Sequence, residues 1–166
     1  MSDEGAQPAA ETGQNNQGQV RLERMYLKDA SFESPNTPSV FQNEWKPEID
    51  LQINTRSEQV VPGFFEVVIT VTVTAKLGEK TGFIAEVQYA GLFRMEGLPD
   101  AVVHRTLGTF CPNTLFPYVR EVVDSLVVRG GFPPLHLVPI NFEMAYEEAM
   151  RQAQGAQGEG EAPTTH

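Results

Sequence analysis

Alternating apolar and polar positions dominate the middle of the chain. From Phe64 to Leu77 every odd-numbered residue is apolar, and the even-numbered set includes Thr70, Thr72 and Thr74. A period of two residues is that of a strand whose faces lie in different surroundings. Similar patterns over residues 20–27, 48–54 and 83–95 predict three further strands. The uncharged threonine face favours contact with another sheet, as in a subunit interface.

The period changes after Pro99. Residues 78–82 form a short link that predicts an antiparallel hairpin between two long strands. Asp100 is a suitable N-cap for a helix toward residue 110, which Cys111-Pro112-Asn113 interrupts before a helix restarts at residue 114. Residues 132–139 predict an extended linker, and Asn141 caps a last helix. Strands first and helices last indicate an α+β fold.

Residues 31–47, SFESPNTPSVFQNEWKP, combine three prolines with Phe32, Phe41 and Trp45, the only tryptophan of the chain. Prolines exclude a regular helix or a central strand here. Three large rings have no use in a solvated loop, because each contributes roughly 1.5–3 kcal/mol when it is buried. We therefore expect this run to cross an apolar surface between neighbouring strands of the sheet and to take part in function.

Composition narrows the class of protein. The chain has 166 residues, with 12 Lys and Arg against 22 Asp and Glu, for a net charge of −10. This balance argues against nucleic-acid and anionic-membrane binding. Residues 1–19 and 152–166 lack large apolar side chains, so we expect two disordered tails around a folded part at 20–151. No signal peptide or membrane span is expected, and the single cysteine fits a reducing, cytoplasmic location.

Catalytic motifs are sparse. No metal-ligand spacing and no glycine-rich phosphate loop occur. Cys111, with His104 seven residues earlier, would suit a small cysteine enzyme, in which the thiol is the nucleophile and the imidazole its base. A buried thiol packed at a helix junction is the better interpretation, since free cysteines are among the most buried residues.

Four stretches together resemble the SecB family of bacterial protein-export chaperones. They occur in the family's order and span nearly all of the folded part, with small departures such as Val119, where alanine is common. The stretches are YLKDASFESPN with the following VF and WKP at 26–47, FIAEVQ at 83–88, CPNTLFPYVRE at 111–121, and RGGFPP with PINF at 129–142.

The resemblance implies a subunit of a four-stranded antiparallel sheet with two helices and a long crossover loop, 31–47, between the first two strands. It also implies a cytoplasmic homotetramer, a dimer of dimers. Such a tetramer keeps secretory precursors unfolded without ATP, cofactor or catalysis and delivers them to the translocase motor SecA. A chaperone of the same fold that serves a toxin–antitoxin system or a general stress response is the alternative.

Two sets of site residues follow. In the family, acidic residues on the sheet bind a basic, zinc-bearing tail of SecA, and the resemblance places this contact at Asp29, Glu33, Ile84 and Glu86. An unfolded client is recognised through exposed apolar surface, so its binding groove needs apolar side chains. Many of the candidate groove residues would equally suit the core; they are Phe41, Trp45, Leu51, Ile53, Phe65 and Tyr146.

Overall fold

The computed structural model describes residues 18–158, so most of both predicted tails lies outside the described residues. Within them the chain forms strands first and helices afterwards, as expected. The strands are β1 (Gln19–Glu33), β2 (Glu48–Val61), β3 (Phe64–Leu77) and β4 (Lys80–Glu96), and the helices are α1 (Asp100–Gly108), α2 (Phe110–Arg129) and α3 (Phe142–Gly158).

The strands form one antiparallel sheet in the order β1-β4-β3-β2. The expectation that the segment after β1 joins neighbouring strands is therefore wrong, because β1 and β2 lie at opposite edges. Two tight turns explain the order, since Gly63 (φ 79°) and Gly78 (φ 58°) adopt the positive φ values that glycine tolerates. These turns hold β2, β3 and β4 together as consecutive hairpins and leave β1 to pair with the free edge of β4.

The two faces of the sheet differ as the alternation predicts. Odd-numbered residues such as Val71 and Val87, which pair across β3 and β4, are fully buried. Helix α2 covers this helix-side face with Leu115 and Val123, also fully buried. The other face, called the open face below, presents the half-buried threonines of β3 and has no helix over it among the described residues.

The helices differ from the prediction at their boundaries. The expected interruption at 111–113 falls at Thr109 (φ −125°, ψ −73°), between α1 and α2. Pro112 lies in the first turn of α2, where a missing N–H breaks no helical hydrogen bond. Because α1 and α2 are separate, residues 18–158 form three α-helices rather than two, besides a short 3₁₀ helix at Ser39–Gln42.

Helix α3 continues to Gly158 and so includes residues 152–158 of the expected C-terminal tail. None of the helices described between residues 18 and 158 has an apolar stretch that would span a bilayer.

Candidate functional site

The segment between β1 and β2 runs past the end of the β3–β4 hairpin. It is shorter than predicted, 34–47 instead of 31–47, because Ser31 and its neighbours pair with β4. Ser34 Oγ donates a hydrogen bond to the Gly82 carbonyl at 3.2 Å, and Asn36 Nδ2 donates to the Thr81 carbonyl at 2.9 Å. Val40, within the segment, has a buried side chain that packs into the hydrophobic core. These contacts fasten the segment to the hairpin and fix where its aromatic rings lie.

An aromatic cluster forms at this end of the helix-side face. The ring of Trp45 lies 4.8 Å from that of Phe132 and 6.1 Å from that of Phe83, measured between centroids. Phe41 and Phe32 complete the cluster, at 5.1 Å from Phe132 and 5.7 Å from Phe83. Phe83 and Phe132 are buried, whereas Phe41 is 50% exposed. The cluster thus has a buried floor, Phe83 and Phe132, and an apolar rim formed by the exposed Phe41 and the half-buried Trp45.

Three glycines allow the rings to approach the backbone. A Cβ atom at Gly130 would lie 2.3 Å from the Phe32 ring, and one at Gly82 would lie 3.0 Å from Trp45. At Gly131 the φ angle of 87° adds a second restriction. The positions 82 and 130 are therefore part of the aromatic cluster although they contribute no side chain.

An apolar row lies next to the cluster on edge strand β2. Ile49, Leu51 and Ile53 are opposite Ala75, Val73 and Val71 of β3, which places them on the helix-side face. Leu51 and Ile53 are half-buried and Ile49 is exposed. The row and the aromatic cluster together form a partly exposed apolar surface, which we call the candidate groove.

Two predicted groove residues lie elsewhere. Phe65 is opposite Phe93, six residues along β3 from the partner of Ile53, a separation of about 20 Å. Tyr146 lies on α3, where its hydroxyl is 2.6 Å from His104 Nδ1 and its ring approaches Gly108. The structure therefore brings four of the six predicted groove residues together and leaves these two apart.

Phe32, Phe83 and Phe132 belong to the cluster but were not among the predicted groove residues. Their strand and linker segments are distant in sequence, so alternation alone does not associate them. A local signal exists for Phe132, which stands between two glycines and two prolines in RGGFPP.

The predicted SecA-contact residues lie together on the open face. Glu33 is directly opposite Ile84, Asp29 is opposite Gln88, and Glu86 lies between these pairs on β4. Glu86 accepts a hydrogen bond from Thr72 Oγ1 at 3.0 Å. We call Asp29, Glu33, Ile84 and Glu86 the acidic patch. It occupies the opposite face of the sheet from the aromatic cluster.

A second polar group lies further along the open face. Glu66 on β3 accepts a hydrogen bond from the Tyr26 hydroxyl and forms an ion pair with Lys28 Nζ at 2.7 Å, so that two β1 side chains reach across β4. The hydrogen bond from Lys28, followed by that from Tyr26, lowers the pKa of Glu66. Burial, together with Glu66, raises the pKa of Tyr26 to about 12.

The position of Cys111 argues against the cysteine-enzyme alternative. Cys111 is fully buried in the first turn of α2, and burial raises the pKa of its thiol to about 12. A nucleophilic cysteine needs a thiolate and access to substrate. His104, its proposed base, is exposed and bonded to Tyr146 instead.

Comparison with known proteins agrees with this architecture. Residues 13–153 match the family model described as preprotein translocase subunit SecB. The protein-export protein SecB of Stutzerimonas stutzeri is 52% identical over 92% of each chain, and that of Azotobacter vinelandii is 46% identical over 99% of each. A SecB-like chaperone of Mycobacterium tuberculosis, solved with a peptide from an antitoxin, shares the fold (TM-score 0.62, 20% identity, 74% of this chain and 91% of that chain). The chain therefore belongs to the SecB family of protein-export chaperones.

Proposed function

We propose that this chaperone binds unfolded secretory precursors in the candidate groove without ATP and passes them to SecA through the acidic patch. One observation carries the proposal: the aromatic cluster keeps an exposed rim beside a partly exposed apolar row. Apolar surface of this kind is costly in water unless a partner covers it. An unfolded precursor supplies such a partner.

The position of the candidate groove beside an edge strand suits an extended chain. Edge strand β2 pairs with β3 on one side only, and its outer edge has no strand partner among residues 18–158. An extended segment can form backbone hydrogen bonds with a free strand edge while its side chains enter neighbouring apolar sites. The apolar side chains that a client would contact are those of Leu51, Ile53 and the rim residues Phe41 and Trp45. Because the groove would recognise the client's backbone and its apolar side chains in general, it would accept clients of many different sequences.

The acidic patch supports the second step. Its three carboxylates lie on the open face, so a client in the candidate groove leaves them accessible. A basic tail such as the family resemblance implies for SecA would be attracted to them. Exposed charge pairs of this type mainly raise the association rate and make it sensitive to salt.

The exposed parts of β1 and α2 support assembly into a homotetramer. Strand β1 is the second edge of the sheet, and the exposed Leu22 and Leu27 lie on its helix-side face. Tyr118 of α2, stacked on Tyr89 at 5.9 Å, is 45% exposed. Apolar residues on an unpaired edge strand invite a partner strand or subunit. The cytoplasm is the compartment in which such a chaperone meets precursors before export.

The toxin–antitoxin alternative is not favoured. The relatives that are 46–53% identical are export proteins by name, whereas the antitoxin-bound neighbour is 20% identical and shows the fold alone.

One experiment tests assembly and client binding together. Native mass spectrometry of the purified protein is expected to show a tetramer that binds a denatured precursor, and the same tetramer should slow refolding of that precursor without ATP. A refolding rate that stays unchanged at molar excess of tetramer would refute the chaperone proposal. Absence of a tetramer would refute only the assembly.

A further inference from the structure

Asp124, on the side of α2 that faces the following linker, makes a set of contacts that neither the groove nor the acidic patch uses. Its Oδ1 atom accepts hydrogen bonds from the backbone N–H of Leu135 at 3.0 Å and of His136 at 3.2 Å. The His136 Nδ1 atom lies 3.8 Å from Oδ2. One carboxylate thus holds two consecutive backbone donors of a segment that has no regular secondary structure.

The backbone at this point needs such support. His136 has a φ of 51°, in the left-handed region that residues with a side chain rarely adopt. A conformation of this kind persists when its surroundings fix it. The two hydrogen bonds to Asp124 fix it from one side. Arg120, one turn before Asp124 on α2, adds a third bond, from Nη1 to the Leu137 carbonyl at 3.4 Å.

The fastened residues are close in sequence to the floor of the aromatic cluster. Phe132 contacts Trp45, Phe41, Phe83 and Phe32. Its own N–H donates to the Val127 carbonyl at 3.2 Å, which fixes the chain before the ring. Only Pro133 and Pro134 separate it from Leu135, and proline restricts the backbone to a narrow range of φ. When Leu135 and His136 are held in place, the two prolines therefore leave Phe132 little freedom to move.

We propose that Asp124 is a positioning residue for the candidate groove. Its hydrogen bonds to Leu135 and His136, which we call the latch, fasten the linker after α2 to the helix and so hold Phe132 beneath Trp45 and Phe41. This inference rests on the proposed function, in which the aromatic cluster binds the client. Loss of the latch would let Phe132 move and would lower the order of the rings above it. The groove would then bind extended apolar segments less well, although no groove side chain had changed.

Trp45 makes the latch measurable without a client. It is the only tryptophan and its ring contacts Phe132 directly. In the full-length protein, Asp124→Leu removes the oxygen that accepts both bonds and keeps the number of side-chain heavy atoms, whereas Asp124→Asn keeps a carbonyl oxygen that accepts both bonds. Glu121→Leu is the matched control, since Glu121 is exposed one turn earlier on α2.

The expected result for Asp124→Leu is a red shift of Trp45 emission, faster acrylamide quenching, and affinity for a denatured precursor weakened by about fivefold. Asp124→Asn and Glu121→Leu should resemble the parent in all three. His136→Pro removes the N–H that donates to Asp124 and changes no residue of α2. It therefore provides the same test if Asp124→Leu fails to fold.

Unchanged Trp45 emission and quenching in both Asp124→Leu and His136→Pro would overturn the latch. A shift in emission with unchanged client affinity would support the latch and overturn the assignment of the cluster to client binding. The two failures are therefore distinguishable in one set of variants.

Discussion

The ring of Trp45 packs on that of Phe132 at 4.8 Å and an interplanar angle of 45°, and this contact joins the segment after β1 to the linker after α2. Two connecting pieces of chain, one with only a short 3₁₀ helix (Ser39–Gln42) and one with no regular secondary structure, are thereby held against one end of the sheet. Their contact brings together the sole tryptophan, a buried phenylalanine floor and an exposed rim.

The rim of the cluster is expected to contribute to client binding without contributing much to stability. Phe41→Ala removes half-exposed surface, so we expect weaker binding of a denatured precursor at a nearly unchanged melting temperature. The neighbouring Val40→Ala is the opposite case, because Val40 is buried and its truncation leaves a cavity that costs about 2 kcal/mol. Precursor affinity and thermal unfolding of both variants check this. Equal precursor affinity of Phe41→Ala and the parent would contradict it.

Charge reversal in the acidic patch should separate the two proposed surfaces. Glu86→Lys is expected to weaken SecA binding by about tenfold, mainly through the association rate, because a basic tail meets a repulsive charge. Client holding should remain, since Glu86 lies on the opposite face from the aromatic cluster. Glu58→Lys makes the same change on the open face but far along the sheet. Surface binding kinetics at two salt concentrations test this, and equal losses in both variants would argue against a local contact.

The Glu66 ion pair predicts a specific pH dependence. Because the pKa of Glu66 is lowered in the folded protein, its charged form contributes stability above the ordinary value near 4.5. That contribution is lost as the pH falls through the lower folded pKa. Glu66→Gln should therefore lower the melting temperature at about pH 7 and have a smaller effect at about pH 4.

Glu79→Gln, in the exposed β3–β4 turn, is the control for this pH series. Melting curves of the parent and both variants between these pH values give the comparison. A difference between the parent and Glu66→Gln that is constant over the whole series would contradict the assigned ion pair.

Cys111 is expected to be unreactive in the folded chaperone. Its burial and raised pKa leave almost no accessible thiolate at neutral pH. A thiol reagent should label it only after denaturant is added, and Cys111→Ala should retain client binding. Ser39→Cys in that background places a thiol on the exposed segment and should label at once. Fast labelling of native Cys111 would overturn the structural role assigned to this residue.

Periodicity along the chain was enough to predict the sheet and its α+β setting. Alternation in β3 and β4 identified strands most of whose odd-numbered residues are buried, since the period of a strand depends only on local backbone geometry. Because these patterns are local, they predicted the helix boundaries less well. Pro112 predicts an interruption of the helix, but the break occurs at Thr109, because a proline in a first turn is compatible with a helix.

The predicted site residues that lie close together in the structure are those for which the sequence offered a specific reason. Trp45 and Phe41 stood out because large rings among prolines need an apolar surface, and Asp29, Glu33 and Glu86 followed from the family resemblance. Tyr146 and Phe65 were apolar residues with no such local context, and the structure places them away from the cluster.

By itself, the sequence determined which segments are strands, which face of each is apolar and which family the chain resembles. Only the tertiary structure decided that β1 and β2 occupy opposite edges, and that Phe32, Phe83 and Phe132 meet beneath Trp45. The contact of Asp124 with the linker was likewise decided only by the tertiary structure. Periodicity is a property of neighbouring residues, whereas strand order and contacts between distant segments depend on how turns and packing combine over the whole chain.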